Sequence, residues 1–435
     1  MPVNVRDRRA LPLVLGSPGA DDIGVRRFKV EFCALSSARL YIFRSASPAG
    51  MRSVAIVGCA TTKFGRSDKD VVGLLAEASL AAMDDAGLDG VRFDDVFVGN
   101  MASGEFEGIS GLANLLVSEL GLEPASAMKV EYASGSGGAA FRAGWMAVAS
   151  GQSELALVAG GEKMTSVSTK EATEIIASLA HPWEKAQGVT MPSLAGLLAR
   201  AYIARFGATR EALAAIAVKN HSNGALNPNA HFQKRITIED VLNSPVISDP
   251  LRVYDFCPIT DGAAALVLAP VEAQPPAEKS VVVSGIGAAT DTQTLQERAD
   301  VLRMASVRVA GERAYRMAGI GPEDIDVAEL HDMATILEVV ESEELGFFPP
   351  GKGWDAAERG ITKLDGPLPI NTSGGLKAKG HPVGATGVAQ IAEIAQQLQG
   401  RCGPRQVEAG IGLACNVAGF GSGSIVTVLR RSDHG

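Results

Sequence analysis

Four residues of this chain are of types that can attack, polarise or protonate a carbonyl group, and each lies in a short corner rich in small residues. Ser134 lies in "EYASGSGG", His331 in "ELHDMAT", His381 in "KGHPVGATG" and Cys415 in "ACNVAGFGSG". A hydroxyl nucleophile needs a base to take its proton, and a histidine can do so near neutral pH. If the fold brings them together, the four corners predict a ligand site at which backbone N–H groups favour a developing negative charge.

Each corner also has a purely structural interpretation. Glycine-rich turns allow strands and helices to pack closely, and a free cysteine such as Cys415 often packs as a small hydrophobic residue. The side chain of His331 could serve only to form a hydrogen bond with a backbone group. Asp332 could be a helix N-cap or a catalytic acid. His381 differs from these, because its small neighbours in "KGHPVGATG" cannot enclose a histidine in a core.

The elements that must position these corners occur twice. From Met51 onward apolar strands alternate with helices, and "AGLDGVRFDDVFVGN" from Ala86 matches "AGIGPEDIDVAELHD" from Ala318. The strands are continuously apolar, which predicts sheets covered by helices on both faces. We therefore expect an N-terminal half over 51–275 and a C-terminal half over 276–435.

The repeat is interrupted by an insertion at about 164–250, for which we expect a loop domain that faces the substrate. It contains two helical stretches, "PSLAGLLARAYIARFG" and "REALAAIAVKNHSNG". Residues 1–50 lack sustained periodicity and are predicted to be a poorly ordered extension. Asp7, Asp21, Asp22 and Glu31 count against a targeting peptide there, since such peptides are poor in acidic residues.

Composition excludes several classes of function. The net charge of -9 and a pI near 5.3 disfavour a broad nucleic-acid surface. No apolar run reaches the roughly 20 residues that span a bilayer, so we expect no membrane segment. The five cysteines are scattered without zinc-like spacing, which predicts no metal site and a reducing, cytoplasmic location.

The motifs "NTSGGLKAKGHPVGATG" and "ELHDMAT", with the strand-to-helix corner at 130–141, resemble the thiolase superfamily. The resemblance covers roughly 52–430 and is closest to the sterol-carrier-protein-x-like and archaeal branch. It implies an α/β fold of five αβαβα layers, built from two pseudo-repeated halves plus the loop domain. It also implies an acyl-CoA C-acyltransferase that cleaves or forms a 3-oxoacyl-CoA, with coenzyme A or acyl-CoA as substrate and no permanently bound cofactor.

The resemblance implies roles for residues by motif. His381 would assist the nucleophile, His331 would belong to an oxyanion hole, and Ser134 stands where the family has its nucleophilic cysteine. Contacts with the coenzyme A substrate are predicted at the small residues before the histidine, which are Ser373, Gly374 and Gly380.

The second cysteine of this branch is also absent, because Met333 occupies its position. Methionine cannot exchange protons. Cys415 falls on the corner that carries an acid/base cysteine in many thiolases, and we predict that it moves the proton. Val417 replaces a glycine of that corner but keeps a backbone N–H for an oxyanion hole.

The serine leaves three explanations open: a Ser-His acyltransferase, an artificial replacement of cysteine, or the loss of covalent acylation. The function is accordingly expected to be that of the acyltransferase, with two alternatives. One is a retro-aldolase or lyase that acts on a coenzyme A ester without an acyl-enzyme and for which Tyr132 could donate a proton. The other is a non-catalytic subunit that binds acyl-CoA.

The resemblance also implies partners. We expect a homodimer or tetramer, formed through a sheet edge near the nucleophile corner, and a small zinc-ribbon and OB-fold partner protein. Nucleic acid and membrane are not expected as partners.

Overall fold

The structure of the protein is a computed structural model that describes residues 50–88, 90–273 and 280–433. The predicted extension therefore lies outside the described residues, apart from Gly50. Valine, isoleucine and alanine dominate the buried strands, whose branched or small side chains suit a sheet covered on both faces. The strands are β1 (Val54–Thr61), β2 (Asp95–Gly99), β3 (Ser126–Val130), β4 (Ala156–Glu162), β5 (Val246–Ser248), β6 (Leu251–Arg252), β7 (Gly262–Pro270), β8 (Val281–Thr290), β9 (Val327–Glu329), β10 (Ile411–Ala418) and β11 (Gly423–Arg431).

The helices fall between these strands, as the alternating pattern predicts. They are α1 (Val71–Asp85), α2 (Ser103–Glu107), α3 (Leu112–Leu120), α4 (Ser136–Ser150), α5 (Thr169–Ile176), α6 (Pro182–Ala186), α7 (Met191–Phe206), α8 (Arg210–Gly224), α9 (Ile238–Asn243), α10 (Ala305–Ala318), α11 (Thr335–Glu344), α12 (Gly353–Glu358), α13 (Gly375–Ala378) and α14 (Thr386–Gln399).

The sheet shows the internal repeat directly. Nine strands pair in the order β3-β2-β4-β7-β1-β8-β11-β10-β9. In the N-terminal half β3, β2 and β4 are parallel and β7 and β1 antiparallel. In the C-terminal half β9 and β10 are parallel, β11 and β8 are antiparallel, and Ile370 pairs in parallel with Ala328 at the place of β3. Both halves thus share one strand order, and β1 meets β8 where they join.

Three apolar cores separate five layers. The first core packs α1 and α3 on the outer face of the N-terminal strands. The second lies between the two sets of strands and contains α4 and α14. The third packs α10, α11 and the loop-domain helices α7 and α8 on the outer face of the C-terminal strands. The predicted αβαβα architecture is confirmed, while the limits of the halves stay a prediction.

The loop domain contains the two predicted helices, as α7 and α8. Each begins at a threonine whose hydroxyl accepts a backbone N–H of the first turn, Thr190 for α7 and Thr209 for α8. The end of α8 packs on the segment before His381, since a Cβ on Gly374 would lie 2.8 Å from Gly224 Cα. No helix among the described residues is long and apolar enough to cross a bilayer.

Candidate active site

All four predicted corners contribute to one cavity of about 130 Å³. Ser134 lies on its wall with His331, His381 and Gly419, one residue from each corner. Six residues of the predicted loop domain also line the cavity, namely Met164, Thr173, Ile176, Leu179, Met191 and Pro192. The other lining residues are Phe256, Cys257, Pro258, Ile259, Met333 and Val383.

Ser134 lies immediately before the N-terminus of α4, whose N-cap is Gly135. The preceding residue, Ala133, has φ of 51°, a left-handed conformation that is uncommon for a residue with a side chain. Ser136 holds this turn, since its Oγ accepts the Tyr132 N–H at 2.8 Å. The Ser134 hydroxyl donates to Val417 O at 2.9 Å. The serine thus lies at a helix N-terminus, where N–H groups favour negative charge.

The ring orientation of His381 is set by Thr386, the first residue of α14. Nδ1 of the ring lies 2.7 Å from Thr386 Oγ1, and this hydroxyl donates its single proton to Pro382 O at 3.0 Å. With that proton donated to Pro382 O, Nδ1 is assigned as the donor to Thr386 Oγ1. The other nitrogen, Nε2, keeps its lone pair and can act as a base.

His331 has the opposite arrangement, and Asn416 imposes it. The Gly138 N–H donates to Asn416 Oδ1 at 3.1 Å, which turns Nδ2 of the amide towards Ser134 O at 3.1 Å and His331 Nδ1 at 3.2 Å. Because the amide nitrogen can only donate, Nδ1 of the ring accepts. The proton of neutral His331 is then on Nε2, which can donate to an oxygen.

The two rings lie close enough to act on one carbonyl group. The centroids of His331 and His381 are 4.9 Å apart, and the ring planes are nearly perpendicular at 89°. Within the described part of the chain, the ring hydrogen bonds of both residues involve Nδ1 alone. One Nε2 acceptor and one Nε2–H donor are thus left without a protein partner there.

Both rings are held neutral. Burial, followed by the charge of Lys379, lowers the pKa of His381 to about 3. Burial, followed by His381, lowers the pKa of His331 well below its usual value. Because neither ring is protonated at neutral pH, the base at His381 and the donor at His331 are both in their active forms.

A carboxylate from the other half supports the loop of His381. Glu162, at the end of β4, accepts backbone N–H groups of Met101 at 2.9 Å, Ala102 at 3.0 Å and Gly384 at 3.1 Å. Burial raises the pKa of Glu162 to about 7. The carboxylate thus ties the histidine loop to the end of β2.

Asp332 takes neither of the two roles considered for it. The N-cap of α11 is Ala334. Asp332 is buried and accepts the Leu376 N–H at 2.7 Å and the Asn220 amide at 2.7 Å. It does not line the cavity, so its role is to join the loops of the two histidines.

Cys415 is not brought to the cavity. Successive side chains of a strand point to opposite faces, and Asn416, its neighbour on β10, faces Ser134 and His331. Cys415 is fully buried in the core on the other face, where burial and the nearby Glu341 raise its pKa well above the usual value. The geometry does not support the predicted proton transfer by this thiol.

The residues predicted to contact coenzyme A also lie behind the cavity wall. Ser373 donates its N–H and hydroxyl to Glu329 at 2.9 and 2.6 Å. Gly374 and Gly380 have φ of 104° and 111°, and a Cβ on Gly380 would lie 2.7 Å from Thr260 Cγ2. These residues shape the loop that presents His381, and contact with the substrate stays a prediction.

Sequence reasoning missed three residues of the site. Asn416 and Thr386 orient the two rings and stand within quoted motifs, so a search for partners of each histidine could have found them. Cys257 lines the cavity from the segment between β6 and β7, and nothing in the local sequence indicates this. Among the described residues, no group of three or more His, Cys, Asp and Glu side chains could hold a metal ion.

Comparison with known proteins identifies the family of the chain. The family models "Thiolase, N-terminal domain" and "Thiolase C-terminal domain-like" match residues 54–272 and 287–431. Acetyl-CoA acetyltransferase from Methanothermobacter thermautotrophicus is 43% identical over 385 residues, which are 88% of this chain and 100% of that protein. Sterol carrier protein 2 from Homo sapiens is 31% identical over 402 residues, 88% of this chain and 73% of that protein.

The solved structures include a similar fold described as "Ltp2-ChsH2(DUF35) aldolase". It has a TM-score of 0.77 and 26% identity, and the match covers 88% of this chain and 99% of that one. The chain belongs to the thiolase family. The predicted resemblance is thereby confirmed, as is the prediction of an enzyme of the acyltransferase class.

Proposed function

We propose that this protein is an acyl-CoA C-acyltransferase that cleaves or forms a 3-oxoacyl-CoA, with Ser134 as the acyl carrier. The observation that carries the proposal is the meeting of Ser134, His331 and His381 on one cavity, with the rings 4.9 Å apart. A nucleophile, a base and a hydrogen-bond donor are the groups that acyl transfer requires.

Each group has one task. Nε2 of His381 takes the proton of the Ser134 hydroxyl as its oxygen attacks the carbonyl carbon. The Nε2–H of His331 donates to a thioester oxygen, whose negative charge it stabilises. The pKa of a thiol is about 8.5, and a serine hydroxyl is far less acidic. Ser134 therefore needs the base in every step in which its oxygen attacks.

The hydroxyl must first leave its resting partner. Ser134 Oγ donates to Val417 O at 2.9 Å, and rotation about χ1 would exchange this hydrogen bond for one to His381. A single hydrogen bond contributes about 1 kcal/mol net. This cost is small beside the barrier that base catalysis removes.

The cavity favours an uncharged acyl group. Its lining residues include three methionines, two isoleucines and a phenylalanine, and no lysine, arginine, aspartate or glutamate. A charged acyl group would lose its hydration without gaining a partner. We therefore propose an apolar acyl chain beyond the thioester, and methionine side chains can adapt to its shape.

The test is covalent labelling of Ser134. The protein is incubated with butanoyl-CoA, digested and analysed by mass spectrometry, with Ser134→Ala as control. An adduct on the Ser134 peptide that disappears on addition of coenzyme A supports the proposal. Turnover of 3-oxohexanoyl-CoA without any adduct removes the serine from the mechanism. Ser134→Cys should react faster, since a thiol ionises more readily.

The resting hydrogen bond of Ser134 also allows a second function, in which the serine is not acylated. Because Ser134 is bonded to Val417 O in the resting structure and the similar fold at 26% identity is described as an aldolase, a retro-aldol cleavage without an acyl-enzyme is the alternative. Tyr132 lines a neighbouring cavity with Ala133 and Gly419, which would suit a proton donor. Product analysis separates the two, because thiolysis consumes free coenzyme A whereas retro-aldol cleavage does not.

We also propose that two copies associate through β3. This strand is the edge of the sheet, its burial is low along most of its length, and Met128 is 56% exposed. An exposed edge strand can pair with another chain. Light scattering should give at least a dimer mass, and Met128→Glu should lower it. A monomer at micromolar concentration would contradict this.

We further propose a small zinc-ribbon and OB-fold partner protein, which co-purification with this chain would test.

A further inference from the structure

The cavity holds one thiol among its lining residues, and no motif identifies it. Cys257 belongs to the segment that follows β6; the residue is partly exposed and lines the cavity together with Met333. Its N–H donates to Met333 O at 3.0 Å. Cys257 therefore lies beside the residue that has taken the place of the family's second cysteine.

The proposed reaction needs a group that exchanges a proton with carbon. His381 is committed to the serine hydroxyl, and His331 donates to an oxygen. Met333 has no proton to give, and Cys415 faces the opposite side of β10. Thr173 on the cavity wall already donates its hydroxyl to Thr169 O at 2.8 Å, which leaves the thiol of Cys257.

We propose that Cys257 is the acid/base residue that protonates the α-carbon of the leaving acyl-CoA and deprotonates it in the reverse direction. This inference rests on the proposed function of the site. The observation behind it is that Cys257 and His381 line the same cavity, and that Nε2 of His381 has no protein partner among the described residues.

The protons and electrons balance over one turnover. Ser134 Oγ bonds to the 3-carbonyl carbon, and the proton passes to His381. The bond between C2 and C3 breaks, its electron pair stays on C2, and the S–H of Cys257 protonates C2. After acyl-CoA leaves, the thiol of incoming coenzyme A gives its proton to the Cys257 thiolate. Its sulfur then takes the acyl group from Ser134, which recovers the proton from His381.

The surroundings of Cys257 suit this donor. Burial raises the pKa of the thiol to about 12, and the nearby ammonium of Lys377 opposes the rise. The thiol therefore keeps its proton at neutral pH until a carbanion needs it. Lys377 is itself buried and donates to Phe256 O, next to Cys257, so a positive charge is fixed beside the thiolate that forms.

The experiment separates proton transfer from acylation. Cys257→Ala and Cys257→Ser are compared with Cys59→Ala, a buried cysteine of β1 that does not line the cavity. Three quantities are measured: incorporation of deuterium at C2 of butanoyl-CoA in D₂O, cleavage of 3-oxohexanoyl-CoA, and labelling of Ser134 by butanoyl-CoA. Far-UV circular dichroism and urea unfolding establish that the variants fold.

Loss of Cys257 should reduce deuterium exchange and cleavage by about a hundredfold or more, while labelling of Ser134 should fall by no more than about tenfold, since acylation by a simple acyl-CoA moves no proton to carbon and the coenzyme A thiolate can leave without being protonated first. Exchange and cleavage near the wild-type rate in a folded Cys257→Ala would overturn the inference. A matching loss in Cys415→Ala alone would do so too. If the wild type exchanges deuterium but never labels Ser134, the proposed function fails and the role of Cys257 is still tested.

Discussion

In the N-terminal half the corner of Ser134 is shaped by close packing around glycines, whereas in the C-terminal half the corners of the histidines rest on buried polar and charged side chains. A Cβ on Gly99 would lie 2.7 Å from Ser136 O, and one on Gly135 would lie 2.9 Å from Tyr132 Cδ1. In the other half the His331 N–H donates to Glu341 at 2.7 Å. The corners of both halves follow strands of the same repeated order.

Buried charged pairs lie beneath the corners of the histidines. Lys219 of α8 pairs with Glu338 at 2.8 Å, Lys379 with Glu329 at 3.5 Å, and Arg405 with Glu393 at 2.8 Å. Breaking a buried pair leaves an uncompensated charge and is costly. The nucleophile is thus positioned mainly by close packing and a few hydrogen bonds, while the two histidines of opposite tautomer lie above a layer of buried charges.

The largest effect should come from His381→Ala. This change removes the base for Ser134, so kcat for cleavage of 3-oxohexanoyl-CoA should fall about a thousandfold and labelling of Ser134 should be lost. Steady-state kinetics and mass spectrometry measure the two effects. The variant His181→Ala, which alters an exposed helix N-cap of the loop domain, is the control. Equal kinetics for both variants would contradict the assignment of the base.

Asn416→Leu should have the next largest effect. It removes the donor that holds His331 Nδ1 and Ser134 O, so the Nε2–H of His331 is no longer enforced, and kcat should fall about 10- to 100-fold with little change in KM. Asn229→Leu removes an amide that bonds Thr61 instead and should leave the kinetics nearly unchanged. A change in KM alone would show that Asn416 acts only on substrate binding.

Gly99→Ala should test the glycine-packed corner. The added methyl group would meet Ser136 O and Gly137 Cα, so the free energy of unfolding should fall by about 1–3 kcal/mol, measured in urea. Gly104→Ala is the matched control, because nothing lies within 4 Å of its Cβ in α2. It should be neutral or more stable by up to about 1 kcal/mol. Similar losses in both variants would refute close packing as the cause.

The smallest effect on kcat should come from a change of pH. The pKa of His381 is lowered to about 3 in the folded protein, against about 6.5 in the unfolded chain. As pH falls between these values the unfolded chain binds the extra proton, so stability should decrease over this window and be level above it. The kcat profile should likewise show no acid limb near pH 6.5. A limb there that vanishes in His381→Gln would contradict the buried, neutral ring.

The sequence was sufficient to predict the layers, the repeat and the corners in which Ser134, His331 and His381 lie, because motif position determines which corner each occupies. Their catalytic roles stay predictions. It was insufficient for Cys415, whose direction depends on which face of β10 meets the cavity, and that follows only from the pairing of the sheet. Cys257 was missed since only tertiary packing brings its segment beside Met333. The ring partners Asn416 and Thr386 needed atomic distances.

The most direct test of the account is the protonation of the two rings, read by nitrogen NMR on protein labelled with ¹⁵N-histidine and assigned with His331→Gln and His381→Gln. Neutral rings at pH 6, with the proton on Nδ1 in His381 and on Nε2 in His331, are predicted. An imidazolium at either position, or the same tautomer in both rings, would contradict the pairing of a base with a donor.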